Sequence, residues 1–459
     1  MRAVVREVHS KGSKQSQTDG WLLAAQNQRC LAHDPVSLKL MTSPANVSAP
    51  SQSLVMLLAL TTAFALSQAF RTVAAVLATP LQAEFHLSLQ QLGAFAGAFH
   101  FAFGAMQLFV GIGIDLHGVR RTVLIGFPLA IAGAMLSALA PSFGTLLFGQ
   151  VLIGIGCAPA FLACTVFIAR QFAQERFAAM SGTVLSIGGV GLLVTGTPLA
   201  WLVQVSSWRM GFWVLGACSV AAWALIAWKV HEPESSQSAL KGSRESLGRA
   251  VLTFVSLFRL PHTPGIIALS FVSYASFITL RGLWLGPMMI ERHGFTLVQS
   301  GTVALTVSLV SLLSPSVFGR LDPGAGKRRR WLIGCTAIWA TMFAVLALSR
   351  HAVADIALTL GIGLLSGYMV LQYAQVRSAY PERIVGRALA LFTMSMFLGV
   401  AVMQWSTGLI ASIAKSQGAE IFAPVLLTIS ALLVIGALAF AWLPQAPAEE
   451  TTTHNPSNS

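Results

Sequence analysis

Ser67 to Pro80 reads SQAFRTVAAVLATP, and its one charge, Arg71, interrupts an apolar run long enough to cross a bilayer. A guanidinium at that depth costs roughly 2.5–3.5 kcal/mol on insertion scales, and by default it faces a water-filled interior, a pathway or a ligand. The pattern recurs in Tyr274 to Pro287, YASFITLRGLWLGP, where Arg281 again stands ahead of a proline. This predicts two halves that each present one cation to a shared central site.

Of the 459 residues, 55% are hydrophobic and only 10% charged, which lies outside the soluble globular range. Apolar stretches of about 20 residues recur without strand-like alternation, so the spans are helices. Twelve are expected, near 53–80, 90–114, 122–140, 144–169, 179–203, 210–229, 264–288, 297–318, 331–349, 355–376, 387–413 and 421–443. The expected fold class is an all-α polytopic membrane protein. Residues 1–50 form a polar tail without a signal-peptide core, in which Met41 is a candidate start. An N-terminal six-helix bundle follows at 51–229, a charged linker at 230–263, a C-terminal bundle at 264–443 and a short polar tail at 444–459.

Charge sets the orientation. Of 29 Lys and Arg residues, 23 fall on the side shared by both termini and four on the other, Arg209, Arg292, Arg350 and Lys415; the other two are Arg71 and Arg281. This positive-inside bias places both termini in the cytoplasm, in a bacterial inner membrane. The net charge of +13 is therefore a topology signal and does not point to nucleic acid. The five cysteines form no disulfide or metal-ligand framework, and no cofactor or metal is expected.

The chain is also duplicated. Pro80 and Pro287, Asp115 and Asp322, and Arg170 and Arg377 are each 207 residues apart; Gly93 and Gly301, and Gly126 and Gly334, are 208 apart. An even number of spans separates the copies, so they cross the membrane in the same direction, related by a parallel pseudo-twofold axis along its normal.

Between the second and third spans stands Gly111-Ile-Gly-Ile-Asp115-Leu-His-Gly118-Val-Arg120-Arg121, with an echo at Gly319-Arg-Leu-Asp322 and Lys327 to Arg330. The segment resembles the loop signature of the major facilitator superfamily, departing from it at Gly113, Leu116 and Val119. The resemblance implies two six-helix bundles that rock about a midplane site to give alternating access, with Gly111, Asp115, Gly118, Arg120, Arg121 and Asp322 in the conformational-switch loops. It also implies that spans 1, 4, 7 and 10 line the cavity, which puts Arg71 and Arg281 on lining helices. Their positions look like those of the arginines that grip phosphate in the organophosphate exchangers of this superfamily.

Two fixed guanidinium forks favour a small carboxylate or phosphate-like anion. Gln68 and Trp284, three residues from Arg71 and Arg281, are expected on the same helix faces as the arginines. Gln372 and Tyr373 on span 10 are further substrate-binding candidates. Gln150 stands where the family often carries an arginine linked to proton coupling. Every Asp and Glu is expected in a tail, a connection or at a span end, which leaves His100 as the proton-coupling candidate. The leading reading is a monomeric secondary transporter for a small organic anion, working by proton symport or anion exchange. The alternatives are an efflux carrier for amphipathic compounds and a transporter-like sensor. No metal cluster, nucleophile constellation or phosphate-cradling loop suggests an enzyme.

Overall fold

The computed structural model describes residues 50–172, 174–231 and 256–444. The N-terminal tail with Met41, linker residues 232–255, the tail beyond 444 and the side chain of Asp115 lie outside that description. Twelve helices among the described residues are long and apolar enough to cross a membrane. They are α1 (Gln52–Thr72), α2 (Leu89–Ile114), α3 (Leu116–Ala138), α4 (Phe143–Gln171), α5 (Met180–Val205), α6 (Trp208–Lys229), α7 (Thr263–Arg292), α8 (Leu297–Arg320), α9 (Ala325–Leu348), α10 (Ala352–Ala379), α11 (Ile384–Ser416) and α12 (Phe422–Trp442).

The duplication is written into the backbone. Ser88 opens α2 with a capping box closed by Gln91, and Thr296 opens α8 with the same box closed by Gln299; each satisfies two orphan helix-end donors. In the loops after these helices, Gly118 (φ 82°, ψ 171°) and Gly324 (φ 81°, ψ 165°) take one shared conformation that L side chains rarely adopt. The following arginines do equivalent work. Arg120 donates to the Ala227 carbonyl at the end of α6, and Arg329 to the Phe440 and Ala441 carbonyls at the end of α12, each capping the negative end of a helix.

The first helix of each three-helix unit departs from regular geometry. The α1 helix breaks at Val73 before continuing as Ala74–Phe85, and α4 is interrupted at Ala158. Wide π-turns occupy 280–284 and 288–292 of α7, and a 3₁₀ turn occupies 366–368 of α10. Non-helical backbone at membrane depth is tolerated where it is buried in protein or lines a water-filled path.

The bundles meet along two seams, α2 with α11 and α5 with α8, and at the crossing of α1 and α7. Contact is tight toward the end bearing the 86–88, 206–207, 293–296 and 417–421 connections, here termed tail-distal. There Gln90 N–H donates to Ser412 Oγ at 2.9 Å, and Thr197 and Thr302 hydroxyls lie 3.1 Å apart. A methyl added at Gly408 would stand 2.7 Å from the Leu89 carbonyl, and one at Gly301 would stand 2.7 Å from Ala200 Cβ. At the other ends of the same four helices, a methyl at Gly111, Gly182, Gly319 or Gly386 meets nothing within 4 Å. Among the described residues, the closest glycine contacts across the seams thus lie toward the tail-distal end.

Two outcomes follow. A side chain at Gly286 would run into the Ala75 carbonyl across the α1–α7 crossing, so Gly286→Val should hold the tail-distal side apart. Transport should fall roughly tenfold or more, and a reporter cysteine at Ser412 should label faster from that side. At the opposite end, Arg328 Nη2 donates to Asp322 Oδ2 at 2.7 Å and its Nε to Oδ1 at 3.1 Å, bonds that hold the Asp322 carboxyl below its usual range. The pair's stabilisation is complete above the ordinary carboxylate pKa of about 4 and is lost as pH falls through the lowered value. Thermal unfolding should therefore show Asp322→Asn less stable at neutral pH, with the gap closing in strong acid.

Candidate functional site

Arg71 is buried in the last turn of α1, against the middle of the α2–α11 seam. Its Nη1 donates to Gln68 Oε1 at 2.6 Å and to the Tyr274 hydroxyl at 3.4 Å, and its Nη2 donates to Ser67 Oγ at 3.3 Å. The Phe103 ring from α2 and the Phe397 ring from α11 each have their centroid 4.6 Å from the guanidinium carbon. Such ring faces attract a cation, more strongly when desolvated. Neutral acceptors and π faces supply the bonding, Nε is buried without a partner, and no carboxylate among the described residues pairs with this charge.

Arg281 occupies the pseudo-equivalent place. Its Nε donates to the Ala304 carbonyl at 3.0 Å and Ser308 Oγ at 2.8 Å on α8, and Nη2 reaches across the bundles to the Leu192 carbonyl on α5 at 3.1 Å. Arg71 thus lies in the α2–α11 seam and Arg281 in the α8–α5 seam, as the pseudo-twofold requires. The hydrogen-bond partners of the two side chains are disjoint.

The other expected positions divide. Gln68 shares the face of Arg71 because α1 is regular up to Thr72. Trp284 does not share the face of Arg281. The π-turn at 280–284 widens the helix, so residues three apart no longer align, and the Trp284 indole N–H donates to Thr407 Oγ1 at 3.0 Å with its ring near Phe422. Gln372 points into the interior of the C-terminal bundle among Ile266, Leu269, Leu332, Phe392 and Phe440. Tyr373 turns the other way, its ring edge-on to Phe392 at 4.8 Å and its hydroxyl 3.7 Å from Met396 Sδ. His100 is fully buried, stacked on Phe397 with centroids 6.2 Å apart. Gln150 is buried on α4.

Sequence reasoning missed Phe103, Phe397 and Tyr274. The two phenylalanines sit in uniformly apolar runs, where periodicity marks no face. Tyr274 stands two helical turns before Arg281, a spacing that already placed it on the lining helix. The acids also hold a surprise. Asp355 is at a span end as expected, in the first turn of α10, yet it is fully buried, pairing with Arg292 at 3.2 Å and His293 at 2.8 Å. Arg292 also pairs with Glu420 at 2.8 Å, tying the ends of α7, α10 and α12. In the other bundle, Glu84 ties the extension of α1 to the start of α6 through Arg209 at 2.6 Å and the Trp208 indole at 2.5 Å.

Comparison with known proteins places this geometry. A model of the Major Facilitator Superfamily matches residues 59–367. The chain is 25% identical over 398 residues to a D-galactonate transporter of Escherichia coli O6:H1, covering 80% of this chain and 90% of that one. It is 24% identical over 254 residues to a probable chloroplastic anion transporter of Arabidopsis thaliana, covering 52% and 48%. Among solved structures, a bacterial homologue of the human lysosomal transporter Spinster, inward-facing and unoccupied, superposes with a TM-score of 0.68 at 18% identity, over 86% of this chain and 97% of that one.

If Trp284 packs rather than binds, Trp284→Phe removes one buried hydrogen bond and nothing from the Arg71 surroundings. Thermal unfolding should show a loss of about 1–2 kcal/mol, with anion binding unchanged by the same preparation's titration.

Proposed function

This chain belongs to the major facilitator superfamily and is a multi-pass membrane transporter rather than an enzyme, and on that premise we propose that it moves a small organic anion by alternating access. The observation that carries the reading is Arg71: a permanent cation, buried, held by neutral acceptors and aromatic faces, with no carboxylate among the described residues paired to it. A buried charge is stable when paired and hydrogen-bonded. Here the complementary charge is the cargo's, and the planar guanidinium suits a carboxylate or phosphate-like group. The similarity to proteins named for galactonate and for anions supports the same class.

The positive-inside bias makes the loose, tail-proximal end cytoplasmic, so the described state is inward-facing, in the inner membrane of a bacterium with both termini in the cytoplasm. Gln68 and Tyr274 orient the anion on Arg71, and Tyr373 forms a wall. Arg281 serves the opposite state. Opening the tail-distal side separates α5 from α8, breaks the bond to the Leu192 carbonyl, and frees a second guanidinium to meet an incoming anion. The transporter acts as a monomer, coupled either by exchange of one anion for another or by proton symport through His100, whose Nε2 is the free ring atom.

Uptake into liposomes holding only this protein tests the reading. Excess small carboxylates or phosphate esters should compete with labelled anion, and Arg71→Gln should lower transport by about two orders of magnitude. Arg281→Gln should slow turnover while leaving anion binding from the tail-proximal side near its wild-type strength. Full transport by Arg71→Gln, or flux of amphipathic cations indifferent to anions, would overturn it.

A further inference from the structure

Two helices, α4 and α10, bend at equivalent places, and each bend is held by a side chain from the equivalent neighbour. In α4, Pro159 has no N–H to offer the Ile155 carbonyl, and the Ala158 N–H takes that carbonyl instead at 3.3 Å. Gln107 on α2 reaches this bend, its Nε2 donating to the Ala158 carbonyl at 3.4 Å and to the Phe103 carbonyl at 3.2 Å. In α10 the bend is the 3₁₀ turn 366–368. Ser314 on α8 spans it: its hydroxyl donates to the Leu364 carbonyl ahead of the turn and accepts from the Gly367 N–H inside it at 3.0 Å. Gln107 and Ser314 are 207 residues apart, and Ala158 and Gly367 are 209 apart. The duplication has kept the contact while changing the side chain that makes it, and both side chains are buried.

Each bend divides its helix into a fixed half and a free one. Ahead of it the packing is backbone on backbone. A methyl at Gly154 would collide with the Phe99 carbonyl and one at Gly156 with the Ala130 backbone, and a methyl at Gly363 would press on the Val307 carbonyl at 3.2 Å. Beyond the bends, 159–171 and 369–379 contain no glycine. Their ring contacts are made by side chains, Phe161 with Phe64 at 4.9 Å and Tyr373 with Phe392 at 4.8 Å. A 3₁₀ stretch inside a helix often marks a hinge, and a hinge needs only a few residues to absorb a change in φ and ψ. We propose that Gln107 and Ser314 are positioning residues for transport. Each fixes its neighbour's bend in the described state and lets go as the segment beyond swings inward to close the tail-proximal end. Gln107 also bonds the carbonyl of Phe103, whose ring covers Arg71, so the α4 hinge is tied to the surroundings of that charge. The proposal rests on the inward-facing reading given above and on no particular cargo.

Spin-label distances test it in liposomes, using the full-length protein on a background without its native cysteines. Labels at Arg377 and Trp442 report the tail-proximal ends of α10 and α12; labels at Val353 and Leu427 report the fixed halves of the same helices. The 377–442 distance should fall into two populations and the 353–427 distance into one. Ser314→Ala should shift the ratio of the two populations about fivefold, the worth of a hydrogen bond, and slow the labelling of Gly386→Cys by a similar factor. Ser314→Thr, which keeps the hydroxyl, should restore both. Gln107→Leu with labels at Gln171 and Trp228 examines the other hinge independently, so a variant that does not fold leaves the second in hand. A single narrow 377–442 distribution in the unsubstituted protein overturns the inference without any hinge variant. So do unshifted populations in a folded Ser314→Ala or Gln107→Leu protein, and both results leave the inward-facing reading standing. If Gly386→Cys labels no faster than Ser412→Cys, the inward-facing reading itself falls and this inference with it.

Discussion

The structure depends on a positive charge that no carboxylate among the described residues neutralises. Arg71 lies among two phenylalanine rings, an amide, a serine hydroxyl and a phenol, an environment that lowers the cost of desolvating a cation without cancelling the charge. A carboxylate from the protein in that place would make a stable ion pair and end the site's usefulness for an external anion. Leaving the charge to rings and neutral oxygens keeps the guanidinium fork oriented while its Coulomb attraction stays available in a medium of low dielectric, where it acts most strongly.

The duplication turns that one charge into a machine with two positions. The pseudo-twofold sends Arg71 into the α2–α11 seam and Arg281 into the α8–α5 seam, and both side chains reach groups on the opposite bundle, Phe397 in one case and Leu192 in the other. Their partners are chemically different. Rings and side-chain oxygens can give way to a ligand without disturbing the backbone. Carbonyls of Leu192 and Ala304 can give way only if a helix moves.

The architecture was legible because it rests on quantities a sequence displays directly: span lengths, basic residues between spans, and landmarks recurring 207 or 208 residues apart. The repeat proved more detailed than its letters suggest, since Ser88 and Thr296 build the same capping box and Gly118 and Gly324 share one left-handed conformation. The site was legible only where helix geometry stayed regular. Residues three apart share a face at 3.6 per turn, so Gln68 was found beside Arg71. The same rule failed for Trp284 because the π-turn at 280–284 carries it away from Arg281. Gln372 was not separable by pattern, because the 369–379 stretch of α10 carries polar groups at Gln372, Tyr373, Gln375 and Arg377 on several sides and periodicity does not say which faces the cavity. Phe103 and Phe397 left no mark at all, being two of 27 phenylalanines.

The packing of the seams bears on how the anion proposed to bind at Arg71 is released. Glycines make the tail-distal halves of α2, α5, α8 and α11 shut closely, where an added methyl at Gly408 or Gly301 would already collide, whereas one at Gly111, Gly182, Gly319 or Gly386 meets no described atom within 4 Å. Meanwhile the ionic ties Glu84–Arg209 and Arg292–Glu420 join the first and last helices within each bundle, so they hold the bundles rigid without locking them together. Among the described residues the bonds between bundles include Gln90 to Ser412, Thr197 to Thr302, Arg71 to the Tyr274 hydroxyl and Arg281 to a carbonyl. Each is worth on the order of 1 kcal/mol net, with somewhat more where an arginine takes part. A closed end held by such bonds and by close packing, with no buried ion pair across it among the described residues, can reopen at a cost that binding of the proposed anion offsets. Stronger ties across the seam would have made a stable protein that does not cycle.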